Sequence, residues 1–372
     1  MKVALVQDWL TEIGGAEKVF LAFLDLYPQA DVFTLTSHEK VISKLGIENT
    51  RLKESFISRL PFGRKRYRYY LPFFPQAIES FDFSNYDLII SSSSSVAKGL
   101  LKHTAQLHIC YCHSPVRYAW DLYHQYIKES GLNGWGVKGV FVRHVLHKLR
   151  IWDIISSNRV DAFVANSDYV KRRIFNTYRR ESTVIFPPVD ILHFEVKVDK
   201  QDYYFAASRM VPYKRIDLIV KAFNKLKDKK LIVAGVGPEF NRVKAIAGPN
   251  VSLVGFVSDA EMKELMSNAK AFVFAANEDF GIIPLEAQAC GTPVIAYGKG
   301  GALETVVNGK TGILFNEQTE DSLIDAIQRF ESDFSYDPFQ IRSHAEEFST
   351  ERFKSEFSSF VEKELDLFYK KR

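Results

Sequence analysis

Cysteine is scarce in this chain. Its 372 residues include three cysteines, Cys110, Cys112 and Cys290, and no Cys-x-x-Cys pair. So small and odd a set does not make a disulfide framework, and we expect buried thiols in a reducing compartment. The sequence also lacks a long apolar run, and its first residues lack the apolar stretch and cleavage site of a signal peptide. We therefore expect a cytoplasmic protein without a membrane span.

Several nucleotide and metal motifs are absent as well. The chain has no Gly-x4-Gly-Lys-Ser/Thr, no His-x3-His and no Asp-x-Asp. These absences argue against a P-loop ATPase, a zinc hydrolase and an enzyme that holds a nucleotide sugar through a carboxylate-bound metal. The run Gly235-Val-Gly237-Pro238 lacks the third glycine of the dinucleotide fingerprint, which disfavours hydride transfer. We predict neither a metal site nor a cofactor.

The chain is long enough for two domains, and short apolar runs alternate with helical stretches along it. Apolar periodicity predicts strands at 2–6, 32–36, 88–91, 107–111 and 162–166, then at 203–207, 230–234, 251–254, 271–276, 294–297 and 312–314. The pair Pro187-Pro188 places a linker near 187–198. We predict two facing, doubly wound Rossmann-like domains, at 1–190 and 191–349, followed by a long terminal helix at 350–372.

Two glutamates eight positions apart, Glu278 and Glu286, are the most informative feature of the sequence. They flank a Phe280-Gly281 turn, after which Pro284 suits the first turn of a short helix. A helix N-terminus offers backbone N–H groups to a diphosphate, whereas carboxylates accept hydrogen bonds from hydroxyl groups. The pattern therefore suits a sugar joined to a nucleoside by pyrophosphate. The alternative is a pair of surface glutamates that favour the helix dipole.

Three further segments follow predicted strands. Arg209 and Lys214 lie five residues apart and could clamp a departing diphosphate, although such a pair can also be ordinary surface charge. Gly14-Gly15 follows the first strand and permits close approach of a phosphate to the backbone, although most such turns are only tight connections. His113 follows another strand, at the edge where α/β folds bind ligands.

The passage from Asn277 to Glu304, with Pro284-Leu-Glu286-Ala, Cys290-Gly-Thr-Pro-Val294 and Gly300-Gly301, resembles the donor site of the family 4 retaining glycosyltransferases. That resemblance implies a GT-B fold, in which 1–190 is the N-terminal acceptor-side domain and 191–349 the nucleotide-sugar-binding domain. It also implies that the terminal helix at 350–372 packs back on the first domain. The run from Tyr111 to Asp121 is similar to the O-antigen mannosyltransferase subgroup, which implies GDP-mannose as the donor and a role for His113 at the donor sugar. Arg215 departs from the glycine that usually follows the lysine in this family.

The resemblance also implies a role for each residue. Arg209, Lys214 and the N–H groups near Gly281 and Ile282 would stabilise the leaving diphosphate, Glu278 would hold the donor sugar and Glu286 the ribose, and loops near Val257 would border the base. The expected catalytic residues are His113, Arg209, Lys214 and Glu278, and the expected donor-binding residues are Gly14, Gly15, Val257, Phe280, Gly281, Ile282, Ile283 and Glu286.

Cations and aromatic residues are concentrated between Arg59 and Pro75. Arg59–Arg68 contains five cations and no acid, and the next residues are aromatic and apolar. A second basic segment spans Arg143–Arg150. We expect these segments to bind an anionic membrane surface that carries a polyprenyl-diphosphate-linked glycan acceptor. No nucleic-acid motif accompanies them, so nucleic acid is not expected as a partner. The alternative is a solvated basic face without function.

Other functions remain compatible with the sequence. The same fold could serve a UDP-sugar-dependent transferase, a nucleotide-sugar epimerase or a glycogen-type synthase. A catalytically inactive glycan-binding scaffold is an alternative of a different class. The presence of Glu278, Glu286, Arg209 and Lys214 together argues against an inactive protein.

Overall fold

A computed structural model describes residues 1–129, 131, 136–333 and 335–370. The last two residues of the predicted terminal segment, 371 and 372, lie outside this part of the chain. The chain divides into an N-terminal unit, formed by 1–187 and 353–372, and a C-terminal unit, formed by 188–352. The sequence had placed the corresponding boundaries at 190 and 349.

The N-terminal unit contains a seven-stranded, all-parallel sheet with the order β3-β2-β1-β4-β5-β6-β7. Its strands are β1 (Val3–Gln7), β2 (Asp31–Thr34), β3 (Leu52–Glu54), β4 (Leu88–Ser93), β5 (Leu107–Cys112), β6 (Ala162–Ala165) and β7 (Ser182–Val184). Its helices are α1 (Gly15–Leu26), α2 (Glu39–Lys44), α3 (Phe74–Glu79), α4 (Tyr123–Glu129), α5 (Val137–Ser157), α6 (Asp168–Tyr178) and most of α14 (Thr350–Lys370).

Alternation along β1 shows how the helices cover both faces of this sheet. Leu5 packs in a cluster with Phe23 of α1 and Phe353 of α14. Val6, on the opposite face, belongs to a cluster that includes Leu146 of α5. Successive strand residues point to opposite faces, so burial of both requires a helical layer on each side. The terminal helix α14 therefore completes the core of the N-terminal unit.

The C-terminal unit contains a six-stranded, all-parallel sheet with the order β10-β9-β8-β11-β12-β13. Its strands are β8 (Tyr204–Ala207), β9 (Leu231–Ala234), β10 (Val251–Gly255), β11 (Ala271–Phe274), β12 (Val294–Tyr297) and β13 (Gly312–Phe315). Its helices are α7 (Ile216–Lys225), α8 (Phe240–Ile246), α9 (Asp259–Asn268), α10 (Ile282–Ala289), α11 (Ala302–Thr305), α12 (Glu320–Asp333) and α13 (Pro338–Glu346). Leu218 and Leu323 bring α7 and α12 into one core cluster on this sheet.

The predicted class of two parallel Rossmann-like sheets is confirmed. Every strand predicted from apolar periodicity is present, with ends that differ by at most about two residues. The sequence missed two strands of three residues each, β3 and β7, which form the edges of the N-terminal sheet. Among the helices of the described residues, none combines the length and apolar character needed to cross a membrane.

Candidate functional site

The strand order of the C-terminal unit places two loops at a topological switch point. The chain runs from β8 outwards to β10 and then returns to β11, which lies beside β8. Arg209 follows β8, and Glu278 follows β11. In open α/β sheets the crevice outside the carboxyl ends of the strands at such a point binds ligands. The two predicted segments therefore meet where the fold offers a ligand site.

The Glu278 loop ends at the N-terminus of α10. Gly281 adopts φ 89° and ψ 77°, a left-handed conformation that glycine adopts with little strain, and α10 begins at Ile282. Pro284 occupies the third helical position, as expected for the first turn. Gly281 has no side chain to cap the helix, and the first N–H groups of a helix have no partner within it, so this end can bind an anion.

A glycine pair, Gly300-Gly301, packs closely against the backbone of the Glu278 loop. The Gly301 N–H donates to the Glu278 carbonyl oxygen at 2.9 Å. A Cβ atom on Gly300 would lie 2.3 Å from that oxygen, and one on Gly301 would lie 2.1 Å from the Phe280 carbonyl oxygen. Side chains at either position would displace the loop. The glycine pair therefore allows the backbone approach that sets the position of Glu278.

Lys214 and Glu278, which the sequence assigned to different parts of a donor, form an ion pair in the structure. Their side chains are only 13% and 18% exposed. An ion pair at a half-buried position needs both partners, because removal of one leaves the other charge poorly solvated. The pair places a cation, Lys214, which can bind a phosphate, next to a carboxylate, Glu278, which can accept a hydrogen bond from a hydroxyl group. A sugar phosphate presents both of these groups.

The other predicted donor residues differ in what they expose. Glu286 is buried in the second turn of α10, and Ile282 and Ile283 are half-buried. The Phe280 ring is 3% exposed and lies 5.9 Å from the Phe348 ring, between centroids. Its side chain is therefore core, and only its backbone can border a ligand. Arg209 is exposed directly after β8.

Val257 lies on a neighbouring loop of the same sheet edge, between β10 and α9. The Gly235 N–H donates to the Gly255 carbonyl oxygen at 2.7 Å and joins the loops after β9 and β10. Phe256, which precedes Val257, is 80% exposed. The segment predicted to border the base thus lies at the carboxyl ends of the strands of the same sheet. It follows β10, whereas Arg209 follows β8 and Glu278 follows β11.

In the N-terminal unit, His113 follows β5, and its Nε2 lies 2.8 Å from Ser92 Oγ on the neighbouring strand β4. Burial lowers the pKa of His113 to about 4. The ring is therefore neutral at pH 7, and it can act as a hydrogen-bonding group without adding a positive charge.

The Gly14-Gly15 turn, predicted to border a phosphate, is capped by a carboxylate in the structure. Gly14 precedes α1, and its N–H donates to Glu17 Oε2 at 2.8 Å. The Glu17 side chain is 7% exposed, and burial raises the pKa of its carboxyl group. A carboxylate at this helix end satisfies a donor that an anionic ligand would need. A phosphate could bind at this turn only if the Glu17 side chain moved away or its carboxyl group took up a proton.

Asp8, which the sequence did not single out, organises the switch point of the N-terminal unit between β1 and β4. Its carboxylate accepts hydrogen bonds from the N–H groups of Ser94, Ser95, Val96 and Ala97 at 2.6 to 2.9 Å. The side chain follows β1 and is 2% exposed. Position directly after the first strand was the available signal, but the serine loop that Asp8 holds comes 86 residues later.

Two family models match the chain. Residues 13–191 match "Glycosyltransferase Family 4" and residues 190–346 match "Glycosyl transferases group 1". Together they account for both sheets. The chain belongs to the family 4 glycosyltransferases.

Curated relatives of the chain include mannosyltransferases. An alpha-1,3/1,6-mannosyltransferase of Schizosaccharomyces pombe is 26% identical over 63% of this chain and 53% of that protein. A GDP-mannose-dependent phosphatidylinositol monomannoside mannosyltransferase of Mycolicibacterium smegmatis is 34% identical over 32% of this chain and 36% of that protein. The chain thus spans between a third and about half the length of these relatives.

Solved structures support the GT-B fold over nearly the whole chain. Anabaena HepE, in complex with UDP and glucose, superposes with a TM-score of 0.72 at 18% identity, over 98% of this chain and 100% of that one. Sucrose-phosphate synthase of Thermosynechococcus elongatus gives a TM-score of 0.73 at 18% identity, over 99% and 100%. At this identity the likeness establishes the α/β GT-B fold alone.

The histidines at β5 lead to a prediction about acid stability. Burial lowers the pKa of His113 to about 4 and that of His108 to about 3, from 6.5. At a pH between these lowered values and 6.5, both histidines bind protons in the unfolded chain but not in the folded chain. The free energy of unfolding therefore falls as the pH falls through this window. Each histidine is expected to contribute about 2 kcal/mol to the loss between pH 6.5 and 5. Urea unfolding at several pH values measures the slope.

The variant His113→Gln isolates one of the two histidines. Because glutamine does not titrate, the variant is expected to lose less stability than wild type between pH 6.5 and 5, whatever its stability at pH 7. Equal pH slopes for the two proteins would contradict a neutral His113 in the folded state.

Proposed function

We propose that this protein is a retaining hexosyltransferase that moves mannose from GDP-mannose to a hydroxyl group of a glycan acceptor. The observation that carries the proposal is the Lys214–Glu278 pair beside the N-terminus of α10, at the switch point of a GT-B sheet. The mannosyltransferase relatives support the sugar, and the name of the M. smegmatis relative supports the donor.

The reaction follows from the charges at this site. The bond between the anomeric carbon and the diphosphate oxygen breaks, and negative charge develops on the leaving diphosphate. Arg209, Lys214 and the α10 N–H groups stabilise that charge. The acceptor oxygen bonds to the same face of the anomeric carbon, and its proton passes to the departing phosphate oxygen. The chain needs no covalent nucleophile for this route.

The carboxylates orient the donor. Glu278 accepts hydrogen bonds from the hexose hydroxyls, Glu286 accepts them from the ribose hydroxyls, and the neutral His113 ring serves at the donor sugar. When the diphosphate arrives, Lys214 exchanges its contact with Glu278 for the phosphate oxygens. The carboxylate released by this exchange is then available to the sugar.

A panel of nucleotide sugars tests the donor. A true donor present at 100 times its dissociation constant is expected to add about 2.7 kcal/mol to the free energy of unfolding. Thermal unfolding is measured with GDP-mannose, UDP-glucose, GDP and UDP, and hexose transfer is assayed with each donor. A response to UDP-glucose instead of GDP-mannose would favour a UDP-sugar transferase or an epimerase. No response to any of the four would favour a glycan-binding scaffold.

Metal independence is the next expected outcome. Arg209 and Lys214 provide the positive charge that a divalent ion supplies in other transferases. The described residues contain no group of three or more His, Cys, Asp or Glu arranged to hold a metal. Protein stripped of divalent ions is expected to retain most of its activity in excess EDTA. Loss of activity that magnesium or manganese restores would contradict this neutralisation of the diphosphate.

We further propose a polyprenyl-diphosphate-linked acceptor, of the O-antigen type, at the cytoplasmic face of an anionic membrane. The segment Arg59–Pro75 exposes three aromatic side chains, Phe62 by 71%, Tyr69 by 77% and Phe73 by 49%. Phe62 has φ 56°, a left-handed conformation that strains a residue of this size while its ring stays in solvent. Exposed cations surround these rings at Arg59, Lys65, Arg66 and Arg68.

The outer face of α5 extends the same surface. It exposes six apolar side chains, Val137, Val140, Phe141, Ile151, Ile154 and Ile155. Lys138, His144, His147 and Lys148 are exposed among them. The single acid of this helix, Asp153, is buried against Lys98. A face of this composition complements anionic lipid, whereas a second copy of the same face would bring like charges together.

One hydrophobic cluster joins the two surfaces. Tyr67 and Phe74 of the first segment pack in the same cluster as Leu146 and Leu149 on the inner face of α5. In addition, Trp152 Nε1 donates to Glu79 Oε1 at 2.7 Å, which links α5 to α3. Both surfaces therefore belong to one layer, on one side of the N-terminal sheet, and can contact one membrane.

A further inference from the structure

Arg215 adopts a backbone conformation that favours glycine. Its φ is 54° and its ψ is 36°, in the left-handed region. An arginine in this conformation strains the backbone. Lys214, the residue before it, is part of the proposed diphosphate clamp.

The guanidinium group of Arg215 begins a relay between three loops. Its Nη1 donates to Gln318 Oε1 at 3.1 Å, and Gln318 Nε2 donates to the Ala275 carbonyl oxygen at 2.8 Å. Gln318 lies between β13 and α12, and Ala275 directly follows β11, the strand that leads to Glu278. An amide side chain satisfies an arginine and a carbonyl together only in this orientation, because one end donates and the other accepts.

The loops that carry Lys214 and Glu278 are thus connected twice. The first connection is the Lys214–Glu278 ion pair, and the second is the relay from Arg215 through Gln318 to Ala275. Binding of a diphosphate would compete with the first connection, since Lys214 cannot keep Glu278 as its full partner while it binds phosphate. The relay involves neither of these groups and can persist when the donor binds.

We propose that Arg215 is a positioning residue, which holds the Glu278 loop in place while Lys214 exchanges Glu278 for the donor diphosphate. The inference rests on the proposed function, because it assigns the donor site to these loops. Arg215 does not contact the reacting atoms in this scheme. Its effect passes through Gln318, which the sequence did not single out.

The variants Arg215→Gly and Gln318→Ala break the relay at different points. Arg215→Gly also relieves the backbone strain, so we expect its melting temperature to stay near that of the wild type. Each single variant is expected to lower kcat/KM for GDP-mannose about tenfold through misplacement of Glu278. The double variant is expected to lose about tenfold as well, since both changes break one relay. Lys221→Ala removes an exposed cation from α7, the helix that follows Arg215, and is the matched control.

Hydrogen exchange at residues 276–281 separates this inference from the proposed function. Faster exchange in both relay variants, with unchanged exchange in Lys221→Ala, supports the positioning role even if no nucleotide sugar acts as a donor. Absence of transfer from every donor by wild type overturns the proposed function. Three results would each overturn the role of Arg215. They are unchanged exchange in the relay variants, an activity of Arg215→Gly within about twofold of wild type, and a fall in kcat/KM of the double variant that equals the product of the two single falls.

Discussion

Replacement of Arg209 or Lys214 by alanine is expected to lower kcat at least about 100-fold while the protein stays folded. Both residues follow β8 at the switch point, where negative charge develops on the leaving diphosphate. Interactions that strengthen only in the transition state act on kcat more than on KM. The measurement is steady-state transfer from GDP-mannose, with thermal unfolding of each variant as the test of folding.

The two variants are expected to differ in one respect. Lys214 forms an ion pair with Glu278, so Lys214→Ala leaves a carboxylate that is 18% exposed without this cation. This charge would repel the donor diphosphate as well as lose its own stabilisation. Arg209 is exposed, and its removal leaves the Lys214–Glu278 ion pair in place. The fall in donor affinity should therefore be larger for Lys214→Ala.

Lys221→Ala is the matched control, because Lys221 is an exposed lysine on α7 of the same unit. Its activity is expected to stay close to that of the wild type. If Arg209→Ala and Lys214→Ala both remain within a few-fold of this control, the two cations do not stabilise the leaving group, and the assignment of the diphosphate site is wrong.

The fold was largely predictable because parallel strands that are buried on both faces consist of continuous apolar runs in the sequence. Runs such as Ala271–Phe274 lie at the centre of a sheet and are buried along their whole length. The edge strands β3 and β7 carry Leu-Lys-Glu and Ser-Thr-Val, and both are half-exposed. A strand exposed on one side needs no apolar run, so periodicity does not reveal it.

The site was predictable where local sequence determines local structure. Gly281, Pro284 and the strand before them specify a strand, a turn and a helix start within a few residues. The contacts that hold this segment are not local. Lys214 and Glu278 are 64 residues apart, and Gln318 reaches Ala275 across 43 residues. One sequence contains no signal for such pairs, since each member alone resembles an ordinary polar residue.

At Gly14 two interpretations of the sequence compete. A glycine pair after a first strand suggests a phosphate loop, but Glu17, three residues later, supplies the acceptor for its N–H group. The capping pattern is visible in the sequence as glycine followed by glutamate at the third helical position. Two physical rules for a helix N-terminus therefore compete at this turn, and the structure shows the side chain in the place of a ligand.

Reversal of three cations in the basic segment, Lys65→Glu, Arg66→Glu and Arg68→Glu, is expected to release the protein from anionic vesicles. Each cation near such a surface contributes about 1 kcal/mol, so loss of three predicts a fall in vesicle affinity of more than 100-fold. Arg64 is left unchanged because its Nη1 donates to Glu54 at 2.8 Å, and its reversal would disturb the fold. Vesicle sedimentation at low salt measures the binding.

A matched reversal in the C-terminal unit, Lys221→Glu, Lys227→Glu and Lys244→Glu, changes the net charge equally at exposed positions. This control is expected to retain most vesicle binding, because its lysines lie outside the proposed surface. The substitutions Phe62→Ser and Phe141→Ser test the apolar part of the surface. They are expected to weaken binding even at a salt concentration that screens the charges, since burial of an aromatic ring in lipid does not depend on ionic strength.

Transfer assays separate membrane docking from catalysis. The reversal of Lys65, Arg66 and Arg68 is expected to weaken transfer to a lipid-linked acceptor in vesicles and to leave transfer to a short water-soluble analogue unchanged, because these three exposed cations are not among the residues proposed to bind the donor. If wild-type protein does not sediment with anionic vesicles at low salt, where screening is weakest, the membrane proposal is wrong. The exposed rings of Phe62 and Phe141 would then require an apolar partner other than lipid.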